Sequence, residues 1–127
     1  MGLVSVQTQR APAAVGPYSR AIQAGPWLFV SGQIGLQPGA ADLVSADFSA
    51  QTRQVLANLG AILADSGYAL TDVVAVDAFL MDLGRFAVFN EIYAAFFGDH
   101  RPARAAVEVK ALPKGAQIEI KCVAYRA

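Results

Sequence analysis

Residues 101–125 read RPARAAVEVKALPKGAQIEIKCVAY, and this stretch decides what kind of sheet the chain builds. Ala103, Ala105, Val107 and Val109 alternate with Arg104, Ala106 and Glu108, the period-two signature of a strand. Ile118, Ile120, Cys122 and Ala124 alternate in the same way with Gln117, Glu119, Lys121 and Val123. Between them Leu112-Pro113-Lys114-Gly115 carries turn chemistry, so the segment is expected to be a hairpin. Arg104 and Glu119 then stand early in their strands, each on the face that the aliphatic row leaves free. A guanidinium can grip a carboxylate through two parallel hydrogen bonds, and a carboxylate can hold or deprotonate a water. The alanines beside Arg104 leave room for a small molecule. The plainer reading is a pair of solvent-facing strand charges. Residue pattern alone leaves both open.

Upstream, Val73 to Met81 reads VVAVDAFLM, apolar on both faces and broken only by Asp77. A strand of that kind needs a covering layer on each side. Two helices are available. The first is expected from a cap at Asp47 or Ser49 to about Ser66, with Gly67 just past its end. Its apolar stripe is Val55, Leu56, Leu59, Ile62 and Leu63. Gln51, Arg53, Asn58 and Asp65 fall largely on the other side, which makes it a packing helix without chemistry. The second, roughly Gly84 to Phe97, carries Phe86, Phe89, Tyr93, Phe96 and Phe97, with Asn90 beside them, and ends at Gly98. Such a stripe reads as core. These helices can cover one face of a sheet, and little else in 127 residues can cover the other. A second copy of the chain can, so an oligomer is expected, and a charge at Val74 or Val76 is expected to disrupt it.

The N-terminal half supplies more strands. Leu3 to Gln9 alternates, Ala11 to Ser19 is a breaker-rich loop, and Arg20–Ala24 and Trp27–Ile34 flank a Gly25-Pro26 turn. Ser31-Gly32-Gln33 sets a hydroxyl, a bare backbone and an amide at the end of an apolar run. Glycine there admits a ligand or another strand, or marks a β-bulge. Gln37 to Val44 reads as loop. The order β-β-β-α-β-α-β-β defines a single α+β domain over residues 1–127, a mixed sheet with two helices packed on one face.

Composition sets further bounds. The chain is 55% hydrophobic and 16% charged, with a mean hydropathy of +0.40. No apolar run approaches the roughly 20 residues of a membrane-spanning helix, so the apolar surplus points to a subunit interface. Ten basic and ten acidic residues balance, and no basic stripe marks a nucleic-acid partner. The N-terminus lacks an export signal, so a cytoplasmic protein is expected. One cysteine excludes an internal disulfide, and a single histidine argues against a protein-built zinc site. His100 is read as a loop residue without catalytic duty. No phosphate-cradling glycine loop is present.

Taken together, GPYSRA (16–21), FVSGQIGL (29–36), QTRQVLANLGAIL (51–63), FNEIYAAFF (89–97), RPARAAVEV (101–109) and LPKGAQIEI (112–120) resemble the reactive intermediate deaminase family, RidA or YjgF. The resemblance spans nearly the whole chain in family order. It implies a chorismate-mutase-like fold assembled as a homotrimer, sheets inside and helices outside, with sites in clefts between neighbours. It also implies hydrolysis of reactive 2-enamines and 2-imines, such as 2-aminoacrylate, to 2-keto acids and ammonia without metal or organic cofactor. Small 2-imino and 2-keto carboxylates are then the partners. By resemblance Arg104 binds the substrate carboxylate, Glu119 activates water, and Tyr18, Ser31, Gly32, Asn90 and Ala106 line the site. Ala106 stands where many members carry cysteine, a position thought to act through its carbonyl. Lys121 stands where an acidic residue is common. It is expected to favour the charged form of Glu119 and weaken it as a base. A non-catalytic carboxylate-binding trimer is the alternative. A ribonuclease or translation-inhibitor role, attached to some relatives, fits the neutral charge poorly.

Overall fold

The computed structural model describes residues 2–127. Strands β1 (Val4–Ser5), β2 (Ala21–Ala24) and β3 (Trp27–Gln33) come first. They are followed by α1 (Phe48–Asp65), β4 (Val73–Leu80), α2 (Phe86–Phe97), β5 (Ala103–Glu108) and β6 (Ile118–Tyr125). They build one mixed sheet in the order β1-β2-β3-β6-β4-β5. β4 and β5 run parallel, and the other pairs are antiparallel.

The expected hairpin of residues 101–125 does not form. β5 and β6 are strands, but β4 lies between them and pairs with both. A strand that is apolar on both faces gains most at the centre of a sheet, where both of its edges are paired. The twelve-residue helix α2 supplies the crossover that parallel pairing of β4 and β5 requires. Residues 109–117 then step across the end of β4, held by Val109 N–H on Leu80 O (2.8 Å) and Met81 N–H on Gln117 O (3.0 Å). The turn within this step is a 3-10 turn, Pro113–Gly115, with Lys114 at φ 59° and Gly115 at φ 69°.

α1 begins where capping chemistry places it. The Asp47 carboxylate accepts from Ala50 N–H at 2.9 Å, and Gly67, at φ +83°, follows its C-terminal cap at Ser66. Its aliphatic stripe packs on the sheet beside Phe89, Tyr93 and Phe97 of α2. Below lie Leu28, Val30, Val76, Ala78, Leu80, Ile118, Ile120 and Cys122. Two side chains assigned to the polar face of α1 are instead buried, Gln51 and Asn58, each 1% exposed. Asn58 Nδ2 donates to Leu36 O (2.8 Å) and Ile34 O (3.3 Å). Gln51 donates to Ser45 O and accepts from Gln117 N–H, both at 2.9 Å. They satisfy a loop that packs on the helix, a duty hydrophobic periodicity cannot reveal.

β1 is shorter than the alternation over Leu3–Gln9 predicts. Beyond it Thr8 and Arg10 both bond the Asp65 carboxylate at the end of α1, which draws the chain off the sheet edge. The second sheet face carries no layer from this chain. Trp27, Phe29, Val107 and Tyr125 are exposed there, and Ala75, Phe79 and Val123 are half-buried. Val76 turns to the helices and is 1% exposed, so a charge there breaks the core and not a subunit contact. No helix among the described residues is long and apolar enough to cross a membrane.

Candidate active site

The seven candidate residues gather into two groups on opposite faces of the sheet. β4 supplies the reference. Arg104 on β5 stands opposite Val76, which faces the helices. Glu119 on β6 stands opposite Phe79, on the uncovered face. With β4 between them, the two are two strand spacings apart sideways and three residues apart lengthwise. Their Cα atoms are therefore roughly 14 Å apart, with side chains on opposite sides. The sequence pattern set both residues opposite an aliphatic row. That holds for Glu119. It holds for Arg104 too, but there the row Ala103, Ala105 and Val107 is the uncovered one, so Arg104 lies on the helix side.

The first group surrounds Glu119. β3 loses register with β6 between Val30 and Gln33, so Ser31 and Gly32 form a bulge, as one reading of the sequence had it. The close approach, the other reading, is also present. A Cβ on Gly32 would stand 2.9 Å from Glu119 Cδ and closer still to its Oε2, so the carboxylate rests on bare backbone. Ser31 Oγ donates to Ser19 O at 2.6 Å, leaving its lone pairs free. Tyr18 and Gly32 line one narrow cleft with Val15, Arg20, Gln33 and Leu36, which Glu119 adjoins only through Gly32. The Tyr18 hydroxyl accepts from Val15 N–H at 3.2 Å. Glu119 is half-buried and has no hydrogen-bond or ion-pair partner among the described residues. Burial lifts its carboxyl above the usual glutamate value, and the Lys121 ammonium lowers it by less. Lys121 thus acts in the expected direction but is outweighed, and Glu119 is a stronger base than the sequence suggested.

The second group surrounds Arg104. Its Nη1 donates to Asn90 Oδ1 at 2.9 Å. Its guanidinium lies over the rings of Tyr93 (4.8 Å), Phe89 (5.3 Å) and Phe86 (5.4 Å). Ala106, two residues further along the same strand face, is half-buried against the core. The aromatic contacts were missed because the stripe read as core alone. Positions 86, 89, 90 and 93 share one helix face, and that spacing was the available signal. His100 ties its loop to the start of β4 through Nε2 and Val73 O, 2.7 Å apart.

A larger hollow of about 550 Å³ lies elsewhere, between the outer faces of α1 and α2 and lined by Leu56, Val88, Ile92 and Phe96. Its walls are mainly apolar and none of the seven residues borders it. No group of three metal-ligating side chains occurs among the described residues.

The chain thus carries a carboxylate laid over glycine at a strand bulge on one sheet face, and an arginine fixed against α2 on the other, within a two-layer α+β scaffold. Residues 8–126 match the family described as Endoribonuclease L-PSP, and the chain belongs to that family, which includes the RidA, YjgF and RutC proteins. It is 50% identical over 119 residues to a RutC family protein of Pyrococcus horikoshii, covering 94% of each chain. It is 44% identical over 121 residues to the human 2-iminobutanoate/2-iminopropanoate deaminase, covering 95% of this chain and 88% of the relative. A solved Rid-family protein of Yersinia pestis superposes with a TM-score of 0.95 at 41% identity, covering 98% of this chain and all of the other. The fold is therefore the RidA fold.

Proposed function

We propose that this chain hydrolyses reactive 2-imino and 2-enamino carboxylates to 2-keto acids and ammonia, working as a homotrimer. The observation that carries the reading is Glu119, a half-buried, unpartnered carboxylate seated on the Gly32 backbone. The relatives named as iminobutanoate deaminases support it. Such substrates are already electrophilic at the C=N carbon, so positioning and one proton transfer suffice. Arg104 grips the substrate carboxylate. Glu119 takes a proton from water as the oxygen bonds to the imine carbon, and returns that proton to the imine nitrogen. Glu119 then takes the hydroxyl proton of the resulting carbinolamine as the carbonyl forms and the C–N bond breaks, and ammonia leaves with that proton.

One chain does not bring Arg104 and Glu119 to one molecule, because they face opposite sides of the sheet. Two copies can, with the edge arginine of one brought beside Glu119 of the next. This supports an inter-subunit site. The uncovered face with Phe29, Trp27 and Tyr125 is the natural contact, since each such side chain yields about 1.5–3 kcal/mol when fully buried.

The test is loss of imine, generated in situ from several amino acids, with and without the protein, together with keto-acid binding. Arg104→Lys should weaken keto-acid binding about ten- to a hundredfold, since an ammonium lacks the two-pronged grip. Glu119→Gln should keep that affinity and slow hydrolysis by about 10²-fold. Loss of binding in Arg104→Lys with no effect of Glu119→Gln would instead make the protein a carboxylate-binding module. Two silent variants would make both residues surface charges.

A further inference from the structure

We propose that Phe86, Phe89 and Tyr93 are positioning residues for Arg104, an aromatic shelf that holds the guanidinium so that its unused N–H groups face a carboxylate. The inference rests on Arg104 being the carboxylate grip proposed above. The rings form a continuous row, with centroids 6.2 Å apart for Phe86–Phe89 and 5.4 Å for Phe89–Tyr93. The guanidinium lies within 5.4 Å of all three, inside the range for cation–π attraction. Asn90, from the same helix face, takes one N–H. A guanidinium has five, so a fork remains for a ligand. Among the described residues no acid lies within ion-pair distance of Arg104 to occupy it.

A core role accounts for Phe89 and Tyr93, which are 0% and 5% exposed. It does not account for Phe86. That ring is 36% exposed and extends the row under the arginine. An arginine on an edge strand otherwise has full rotamer freedom, which ligand binding would have to remove. The shelf and Asn90 remove it beforehand, so binding does not have to supply the ordering. A lysine at 104 would lose the planar stacking as well as the fork.

The test uses Phe86, because its exposure keeps folding out of the result. Phe86→Leu and Phe86→Tyr are compared in the parent and in an Arg104→Ala background. The probes are 2-oxobutanoate in calorimetric titration and the corresponding imine in steady-state kinetics. Phe86→Leu should weaken 2-oxobutanoate binding about two- to fivefold, raising KM with kcat retained. Phe86→Tyr, which keeps the ring, should retain affinity. With Arg104 removed, Phe86→Leu should have no further effect. Unchanged affinity in Phe86→Leu, or an equal loss without Arg104, overturns the shelf and leaves the deaminase reading standing. A parent protein that binds no 2-keto acid overturns both.

Discussion

Glu119 is where sequence, burial and chemistry meet most directly. The fold raises its pKa, first through burial, with Lys121 opposing. The folded state therefore favours the protonated form. The stability this confers is full below the ordinary glutamate value and is lost as pH climbs through the raised one. Glu119→Gln, neutral at every pH, should gain stability relative to the parent between acid and neutral pH. Urea unfolding at both pH values measures it; a difference that stays constant would mean the carboxylate finds a partner when ionised. If Glu119 is the base, the acid limb of kcat/KM should lie above the ordinary carboxylate range. Lys121→Met, which removes the only opposing charge attributed to the shift, should move that limb to higher pH. Asp65 shows the opposite sign. Hydrogen bonds from Arg10 and Thr8 hold its carboxyl below the usual range, so its contribution is present near neutrality and fades as pH falls through the lowered value.

Among the elements, α1 shows how much a single helix does besides packing. Among the described residues, its buried amides are the side-chain hydrogen bonds that tie the helix to the loop that leaves the Ser31-Gly32 bulge. Asn58→Ala would leave the Ile34 and Leu36 carbonyls without that donor. Ile34 O keeps the Leu36 N–H at 2.8 Å, so the expected cost is about 1–3 kcal/mol in urea unfolding; a loss below about 0.5 kcal/mol would mean that water replaces the amide. Helix boundaries and the aliphatic stripe were legible in sequence, because Asp47, Gly67 and the three-four spacing each encode local geometry. Gln51 and Asn58 were not, since a buried amide and an exposed one look alike until its partner is known. The hairpin failed for a related reason. Alternation in β5 and β6 reports the period of each strand and says nothing of which neighbour it takes. That choice depended on β4, forty residues before the second strand, needing both edges paired. The same uncertainty hid the orientation of Arg104: Ala103, Ala105 and Val107 are apolar enough to pass for a core row, yet the register with Val76 puts Arg104 on the helix side.

For the whole molecule, the decisive feature is a sheet covered on one side only. Helices bury Val76, Ala78, Leu80, Ile118 and Ile120 to 1% exposure or less, while Phe29 across the sheet retains 49% and Val107 44%. This asymmetry separates folding from assembly, and two substitutions exploit it. In an isolated chain Phe29→Glu meets solvent and should change stability by only about 0.5 kcal/mol. In an assembly that closes over this face the same carboxylate would be buried without a partner, at a cost of several kcal/mol. Phe29→Glu should therefore fold, by circular dichroism and a cooperative urea transition, yet sediment as a monomer at micromolar concentration, where the proposal has the parent sediment as a trimer. Val76→Asp should fail earlier, losing the cooperative transition itself, because Val76 belongs to the core of every copy. Glu119 needs an arginine from a neighbour under the proposed mechanism. Monomeric Phe29→Glu should then lose imine hydrolysis although every proposed catalytic side chain is intact. A Phe29→Glu protein that remains trimeric would remove this face from the interface. One that is monomeric and fully active would mean that a single chain suffices, and the two-copy site would fall.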